Sequence, residues 1–137
     1  MSFPKPLVRR VDCVQFFVPD LDAGIEFYCK QLGHELNWRA EKSAGLRLPE
    51  SKTEIVLQTE RPAVEVDMLV DSADAAAIDF ERFGGTIIVP AFDIQIGRCV
   101  VVEDPWGNRF VLLDMTKGAL RTDEQKNVIG NWRTSKS

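Results

Sequence analysis

The sequence predicts an α+β domain in which one βαβββ unit occurs twice in tandem. Each half opens with a stretch of alternating apolar and polar residues, typical of a strand, and continues with a helix that has a single apolar stripe. Equivalent positions in the two halves are 52 residues apart: Val14 and Val66, Val18 and Val70, Gly33 and Gly85. A repeated unit usually cannot bury its apolar face alone, so we expect both copies to share one mixed sheet, with the helices on one face.

The first unit covers about residues 7–60. Residues 8–18 alternate in polarity, and Pro19 ends the strand because it has no N–H to donate. Asp20 can cap the helix after this strand, and Gly33 suits the left-handed position at the end of that helix. The apolar stripe of this helix consists of Leu21, Ile25, Tyr28 and Leu32. Three short strands are expected at 34–39, 45–48 and 54–58, with a turn at 49–52.

The second unit covers about residues 61–115. Its strand is expected at 64–70, and Asp71 or Ser72 can cap its helix. The helical stripe consists of Ala73, Ala77, Phe80 and Phe83. Strands are expected at 86–90, 98–103 and 109–114, the last two joined by the turn 104–108. The polar tail, 116–137, is expected to be a loosely packed terminus or, alternatively, an arm that docks on a partner subunit.

Composition and charge narrow the classes of partner. The 137 residues fit a single domain, 1–137, and carry a net charge of −4 without a basic stripe, so no nucleic acid is expected. No apolar run is long enough to cross a membrane. The three cysteines, Cys13, Cys29 and Cys99, are odd in number and widely spaced, which favours free thiols in a reducing cytoplasm.

Two segments resemble the vicinal oxygen chelate superfamily. They are Val11-Asp12-Cys13-Val14-Gln15-Phe16-Phe17-Val18-Pro19-Asp20-Leu21, with Phe27-Tyr28 and Leu32-Gly33 after it, and Glu103-Asp104-Pro105-Trp106-Gly107-Asn108. This superfamily contains glyoxalase I, extradiol dioxygenases, fosfomycin-resistance enzymes and bleomycin-resistance proteins. The resemblance covers about residues 7–115. It implies two βαβββ modules that form a cup-shaped mixed sheet with the helices on its outer face.

The resemblance also implies where a metal would be bound. The four ligand positions of the metal enzymes fall on Cys13, Val56, Glu65 and Val111. Valine has no ligating atom, and the single histidine, His34, lies outside this set. We therefore expect neither a metal nor a cofactor, and the resemblance points to the metal-free branch of the superfamily, which bleomycin-resistance proteins represent.

Strand alternation from these four positions predicts the lining of the cup. Polar candidates are Gln15, Glu54, Gln58, Glu65, Asp67 and Arg109, and apolar ones are Val11, Cys13, Phe17, Val56, Leu69, Val111 and Leu113. Aromatic faces for a planar ligand are offered by Phe17, Trp38, Phe92 and Trp106, whereas Phe16, Tyr28, Phe80 and Phe83 are expected in the core. Solvated charges on a wet strand face would show the same alternation.

Three functions remain open from the sequence. The first is a metal-independent protein that binds a small molecule, such as an antibiotic or metabolite, and sequesters it. The second is a lyase, isomerase or dioxygenase-like enzyme that uses the cup carboxylates or an atypical metal site, with Glu65 or Asp67 as the base and Arg109 as the electrostatic stabiliser. The third is a non-catalytic module that assembles subunits. A homodimer is expected in each case.

Overall fold

The computed structural model of the protein describes residues 5–132. Eight strands form one mixed sheet in the order β2-β3-β4-β1-β5-β8-β7-β6. Their bounds are β1 (Arg10–Phe17), β2 (Glu35–Arg39), β3 (Ser43–Leu48), β4 (Ser51–Gln58), β5 (Glu65–Leu69), β6 (Thr86–Ile94), β7 (Gly97–Glu103) and β8 (Arg109–Leu113). The predicted α+β class, with two βαβββ modules in one mixed sheet, is confirmed.

The strand register reproduces the internal repeat. The first strands of the two modules, β1 and β5, lie antiparallel at the centre of the sheet, and Val14 pairs with its own equivalent, Val66. A pseudo-two-fold axis therefore passes between these two residues. The flanking pairs obey it as well: Cys13 pairs with Asp67, and Gln15 pairs with Glu65. The residues that flank the axis are thereby brought together from both modules.

The first helix changes its pitch partway. It begins as α1 (Leu21–Ile25), which Asp20 caps by accepting a hydrogen bond from the Ala23 amide at 3.1 Å, and continues as a π-helix (Glu26–Gln31). The Leu32 amide donates to the carbonyl of Phe27, five residues earlier, at 3.0 Å. A π turn uses more residues than an α turn, so it rotates the next residues of the chain out of the apolar stripe. Leu32 is consequently 53% exposed, so the last residue of the predicted apolar stripe does not reach the core.

The second helix, α2 (Ala73–Arg82), covers the other module. Its cap is Ser72, and Ala73 is fully buried in the core beneath it. Phe80 meets Phe110 edge to face, with ring centroids 5.8 Å apart. Phe83 is 75% exposed and lies against the guanidinium of Arg82, so its predicted place in the core is wrong. The helix ends at Arg82, and the helical periodicity no longer applies beyond it.

The outer face of the sheet carries the buried core. Leu112 is completely buried there, and Met68 and Phe110 pack beside it under α2, as the alternation predicts. The equivalent cluster of the first module contains Leu46 and Leu57. In the described part of the chain, neither helix is long and apolar enough to cross a bilayer.

The tail folds back over the sheet. Its hairpin, β9 (Leu120–Thr122) and β10 (Val128–Asn131), belongs to a segment that we call the strap, residues 119–131. The Lys126 carbonyl accepts a hydrogen bond from the amide of Arg39 at 2.7 Å, at the end of β2. Asn131 bonds to Gln95 beyond the other edge strand, β6. The expectation of a loosely packed tail is therefore wrong for the strap, which connects the two outer edges of the sheet.

Candidate ligand-binding cavity

The inner face of the sheet encloses a cavity of about 1430 Å³. All eight strands of the sheet contribute to its lining, and Leu120 and Val128 of the strap line it as well. One chain therefore builds the whole cup from its two modules and its own tail.

A β-bulge on β1 decides which side chains enter the cup. Val11 pairs with Met68 and Cys13 pairs with Asp67, so Asp12 is an extra residue in β1. An extra residue reverses the alternation on one side of the bulge. Asp12 therefore lines the cavity together with Cys13, whereas Val11 does not, which corrects the prediction from strict alternation.

The polar centre of the cup is a connected network of side chains. Gln15 donates to Oδ2 of Asp67 at 2.8 Å and accepts from Nη2 of Arg61 at 2.7 Å. The same arginine lies with its Nε 3.5 Å from Oε1 of Glu65. Gln58 accepts a hydrogen bond from the Arg61 amide at 2.8 Å and donates to the carbonyl of the same residue. These two bonds fix the linker between the two modules, residues 59–64. The connection between the two modules thus delivers a guanidinium to the pseudo-two-fold axis.

Asp67 is the most perturbed carboxyl group of the cup. Only 4% of the residue is exposed, and this burial, with the hydrogen bonding and the charge of the neighbouring Glu65 carboxylate, raises the pKa of Asp67 to about 8; hydrogen bonds from Gln15 and Cys13 oppose the shift. The group is therefore mostly protonated at neutral pH. Gln15 and the thiol of Cys13, at 3.4 Å, both donate to Oδ2. The other carboxyl oxygen, Oδ1, is buried without a hydrogen-bond partner.

A second polar group lies on the first-module side of the cup. Glu54 accepts from Nδ2 of Asn37 at 2.8 Å and from Nε1 of Trp38 at 3.1 Å. Burial raises the pKa of Glu54, and these two hydrogen bonds oppose the shift. Beside it, Nη2 of Arg10 lies 3.5 Å from Oδ1 of Asp12, and its Nη1 is buried. Within residues 5–132, the buried side-chain nitrogen and oxygen atoms without a partner are Nη1 of Arg10 and Oδ1 of Asp67.

The second module supplies an apolar wall. Cys99, Val111 and Leu113 are buried side by side on its inner face. Phe92 also lines the cavity, and 42% of it is exposed. Burial, with the nearby charges of the polar centre, raises the pKa of the Cys99 thiol to about 12, so this wall carries no thiolate at neutral pH. The cup thus joins a polar side to an apolar side.

The structure brings most of the predicted site residues together. Those that line the cavity are Cys13, Gln15, Trp38, Glu54, Val56, Gln58, Glu65, Asp67, Val111 and Leu113, with Phe92 as an aromatic face. Leu69 packs against the inner-face cluster without lining the cavity. Phe17 and Trp106 do not line it, and Trp106 is 83% exposed on its turn.

Arg109 lies outside the predicted polar centre. Its Nε donates to Glu103 on the neighbouring strand at 2.6 Å, and its side chain is 63% exposed. It lines an adjoining depression of about 170 Å³ instead of the cup. The reason is its position, because it is the first residue of β8 and pairs there with Glu103, the last residue of β7. The positive charge at the polar centre comes from Arg61.

Sequence reasoning missed Arg10, Arg61 and the strap. The strap had a readable signal, since its turn repeats the pattern of the turn between β7 and β8. In both turns an aspartate side chain accepts hydrogen bonds from the backbone amides two and four residues later and from an asparagine side chain; the turns are Asp104-Pro105-Trp106-Gly107-Asn108 and Asp123-Glu124-Gln125-Lys126-Asn127. This pattern would have predicted the second turn.

The residues of the cup do not fit a divalent metal. The four positions that the superfamily resemblance assigns to ligands all line the cavity, but Val56 and Val111 have no donor atom. Burial and the charge of Asp67 raise the pKa of Cys13, whose thiol donates a hydrogen bond instead of presenting a thiolate. Within residues 5–132, no three histidine, cysteine, aspartate or glutamate side chains are placed to hold a metal ion.

The repeated modules, the cup and its position in the sheet define a protein of the glyoxalase type. The model of the glyoxalase-like domain family matches residues 12–113, well over half of the chain. The chain belongs to this family, and its expected place in the vicinal oxygen chelate superfamily is confirmed. No curated protein matches the chain in sequence.

Solved structures show the same fold. Methylmalonyl-CoA epimerase from Mycobacterium tuberculosis is 23% identical with a TM-score of 0.66, and the match covers 82% of this chain and 92% of the epimerase. The Streptomyces coelicolor epimerase, in complex with 2-nitronate-propionyl-CoA, is 20% identical with a TM-score of 0.64, covering 80% and 99%. Homoprotocatechuate 2,3-dioxygenase from Brevibacterium fuscum is 24% identical with a TM-score of 0.61, and the match covers 82% of this chain and 38% of the dioxygenase.

Proposed function

We propose that the protein binds an organic small molecule in its cup without a divalent metal, in the manner of the sequestering, bleomycin-resistance type of this superfamily. One observation carries the proposal: a cavity of about 1430 Å³ joins a polar centre to an apolar wall, while two of the four superfamily ligand positions are valines. Concave sites with apolar walls and a few converging polar groups are typical of small-molecule sites, and this cavity is larger than the roughly 300–1000 Å³ that such sites usually enclose.

Calorimetry with chelator-treated, full-length protein tests this proposal. The panel contains cationic glycopeptides and planar aromatic compounds. We expect at least one member to bind with an affinity that neither chelator nor added zinc, nickel, iron or manganese changes. Failure of the whole panel to bind would count against the proposal. So would elemental analysis that finds about one metal ion per chain, lost in the Glu65→Ala variant.

The structure also favours a second candidate, a lyase or isomerase that works by acid–base catalysis. The observation is the buried carboxyl group of Asp67, whose pKa of about 8 suits proton transfer near neutral pH. Arg61, through Gln15, supplies the positive charge beside it that Arg109 was expected to supply. In this candidate, Asp67 would exchange a proton with a bound substrate.

Deuterium incorporation separates the two candidates. Compounds that bind are incubated with the protein in heavy water and followed by proton NMR. A catalyst of proton transfer would exchange carbon-bound hydrogen of its ligand, and Asp67→Asn would abolish this exchange while the ligand still binds. A ligand that binds and neither exchanges nor reacts would identify a binding protein.

A further inference from the structure

The strap faces the cup with one of its sides. Leu120, Thr122 and Val128 line the cavity, whereas Ile129, the neighbour of Val128 on β10, does not line it and is 56% exposed. This is the alternation of a strand with one side towards the cup and one towards solvent. Leu120 and Val128 belong to none of the three apolar clusters of residues 5–132. The strap therefore adds apolar surface to the cavity and not to the core.

The strap is attached firmly at its base, beside the turn between β6 and β7. Asn131 accepts a hydrogen bond from the side chain of Gln95 at 2.5 Å, and it donates to the carbonyls of Gln95 at 2.9 Å and Gly118 at 2.8 Å. Just before the strap, the amide of Lys117 donates to the carbonyl of Ile96 at 2.9 Å. Side-chain and backbone hydrogen bonds thus hold both ends of the strap to this turn.

The tip of the strap, residues 123–127, has a much smaller attachment. In the described part of the chain, its hydrogen bonding to the sheet is confined to one isolated bridge between Arg39 and Asn127. In this bridge the Arg39 amide donates to the carbonyl of Lys126 at 2.7 Å. The other hydrogen bonds of the tip close its own turn, in which the side chain of Asp123 is the acceptor. The tip is therefore the end that can leave the sheet at the lower cost.

The base also provides a turning point. Gly118 has a φ of 94°, in the left-handed region that favours glycine, and a Cβ atom there would come within 2.1 Å of the carbonyl oxygen of Trp132. The two chain segments that enter and leave the strap are therefore in close contact. Local opening needs least free energy where the fewest interactions break, so such a segment opens at its far end first.

We propose that the strap is a lid for the molecule that occupies the cup. It swings away from β2 at its tip, turns about its base, and closes with Leu120 and Val128 against the bound molecule. An apolar body beneath these two side chains covers their surface and so holds the lid closed. This inference rests on the proposed function, because it concerns access to the same site, but the opening of the strap can be measured without any ligand.

Hydrogen exchange of single amides, followed by NMR on the full-length protein at pH 7, measures this opening. The Arg39 amide reports the tip, and the Lys117 amide reports the base. The Ala40 amide donates to the carbonyl of Ser43 at 2.8 Å and reports fraying of β2 from β3. Local opening lowers the protection of only those amides that it exposes. We expect the Arg39 amide to be protected, but about tenfold less than those of Lys117 and Ala40.

Two variants form a matched pair for the tip. Asp123 and Asp104 close turns with the same pattern of hydrogen bonds, one in the strap and one between β7 and β8. Asp123→Ala loosens the tip, so it should lower the protection of the Arg39 amide about tenfold further and leave Lys117 unchanged. Asp104→Ala should change neither amide. Thermal denaturation shows that each variant is folded.

The contact with a bound molecule is tested with N-phenyl-1-naphthylamine, an uncharged aromatic compound that fluoresces in apolar surroundings. At saturation it should raise the protection of the Arg39 amide about tenfold and leave that of Lys117 unchanged. In stopped-flow experiments, Leu120→Ala should release this probe about fivefold faster, because the lid loses apolar surface over it. Ile129→Ala, on the outer side of the strap, should leave the release rate unchanged.

Several results would overturn the lid. Equal protection of the Arg39 and Lys117 amides would mean that the strap does not open at its tip, and an unprotected Arg39 amide would mean that the tip is not attached. Equal protection of Arg39 and Ala40 would assign the exchange to fraying of β2. If the probe does not bind, or binds without slowing exchange at Arg39, the closure on a ligand is wrong. The proposed function fails only if the whole panel of glycopeptides and aromatics yields no ligand.

Discussion

Asp67 should make the stability of the protein fall as pH rises. In the unfolded chain this carboxyl group has an ordinary pKa of 3.8, and in the folded protein its pKa is about 8. Between these values the native state holds a proton that the unfolded state has lost. The contribution of protonated Asp67 to the free energy of unfolding is therefore complete below about pH 4 and is lost as pH rises through 8.

The size of the effect is set by the shift. Each pH unit inside this window changes the free energy of unfolding by about 1.4 kcal/mol. Over the whole window the loss is at most about 6 kcal/mol, and structural relaxation or entry of water around Asp67 reduces it. Even half of this value is large beside the total stability of a domain, about 5–15 kcal/mol.

The variant that tests this expectation is Asp67→Asn, which imitates the protonated acid. Urea unfolding of the native sequence and of the variant is compared at pH 5, 6, 7 and 8. The difference in free energy of unfolding should move in favour of the variant by about 1 kcal/mol per pH unit. Glu65→Gln is the control, since removal of its charge should lower the pKa of Asp67 and move the loss to lower pH.

Parallel stability curves for the native protein and Asp67→Asn from pH 5 to pH 8 would contradict this expectation. They would mean that Asp67 titrates as an exposed carboxyl group does. The burial of this side chain would then be wrong.

Four further predictions concern the core, the strap and the assembly. Leu112→Ala should lower the free energy of unfolding in urea by about 2–5 kcal/mol, because Leu112 is fully buried; a loss below about 1 kcal/mol would contradict its place in the core. Lys126→Gly should raise the stability by up to about 1 kcal/mol, because Lys126 has a φ of 71°, and a lower melting temperature would be the opposite result. Asn131→Ala removes the bonds that tie the strap to Gln95 and Gly118 and should speed ligand release in stopped-flow experiments, whereas an unchanged rate would show that the strap does not hold the ligand. Light scattering should give a homodimer of about twice 15.4 kDa, and the mass of a single chain at micromolar concentration would disprove it.

The order of the elements and the repeat could be predicted without any knowledge of tertiary contacts. Alternation and helical stripes are local properties, and they placed each of the eight sheet strands and both helices close to their observed bounds. The 52-residue offset also identified which residues of the two modules are equivalent, and the pairing of Val14 with Val66 agrees with it. Most of the residues that the alternation predicted for the cup do line it, although they form a minority of the whole lining.

The details of the site depend on tertiary structure. The bulge at Asp12 changed which residues of β1 face the cup, and the π turn moved Leu32 into solvent. Arg61, which lies in the linker between the modules, donates a hydrogen bond to Gln15 at the polar centre. Arg109 instead donates to Glu103, outside the cup. These outcomes depend on contacts between residues far apart in the chain. Periodicity records only which face of its own element a residue occupies, so it could not show where loops, strand ends and the strap meet that face.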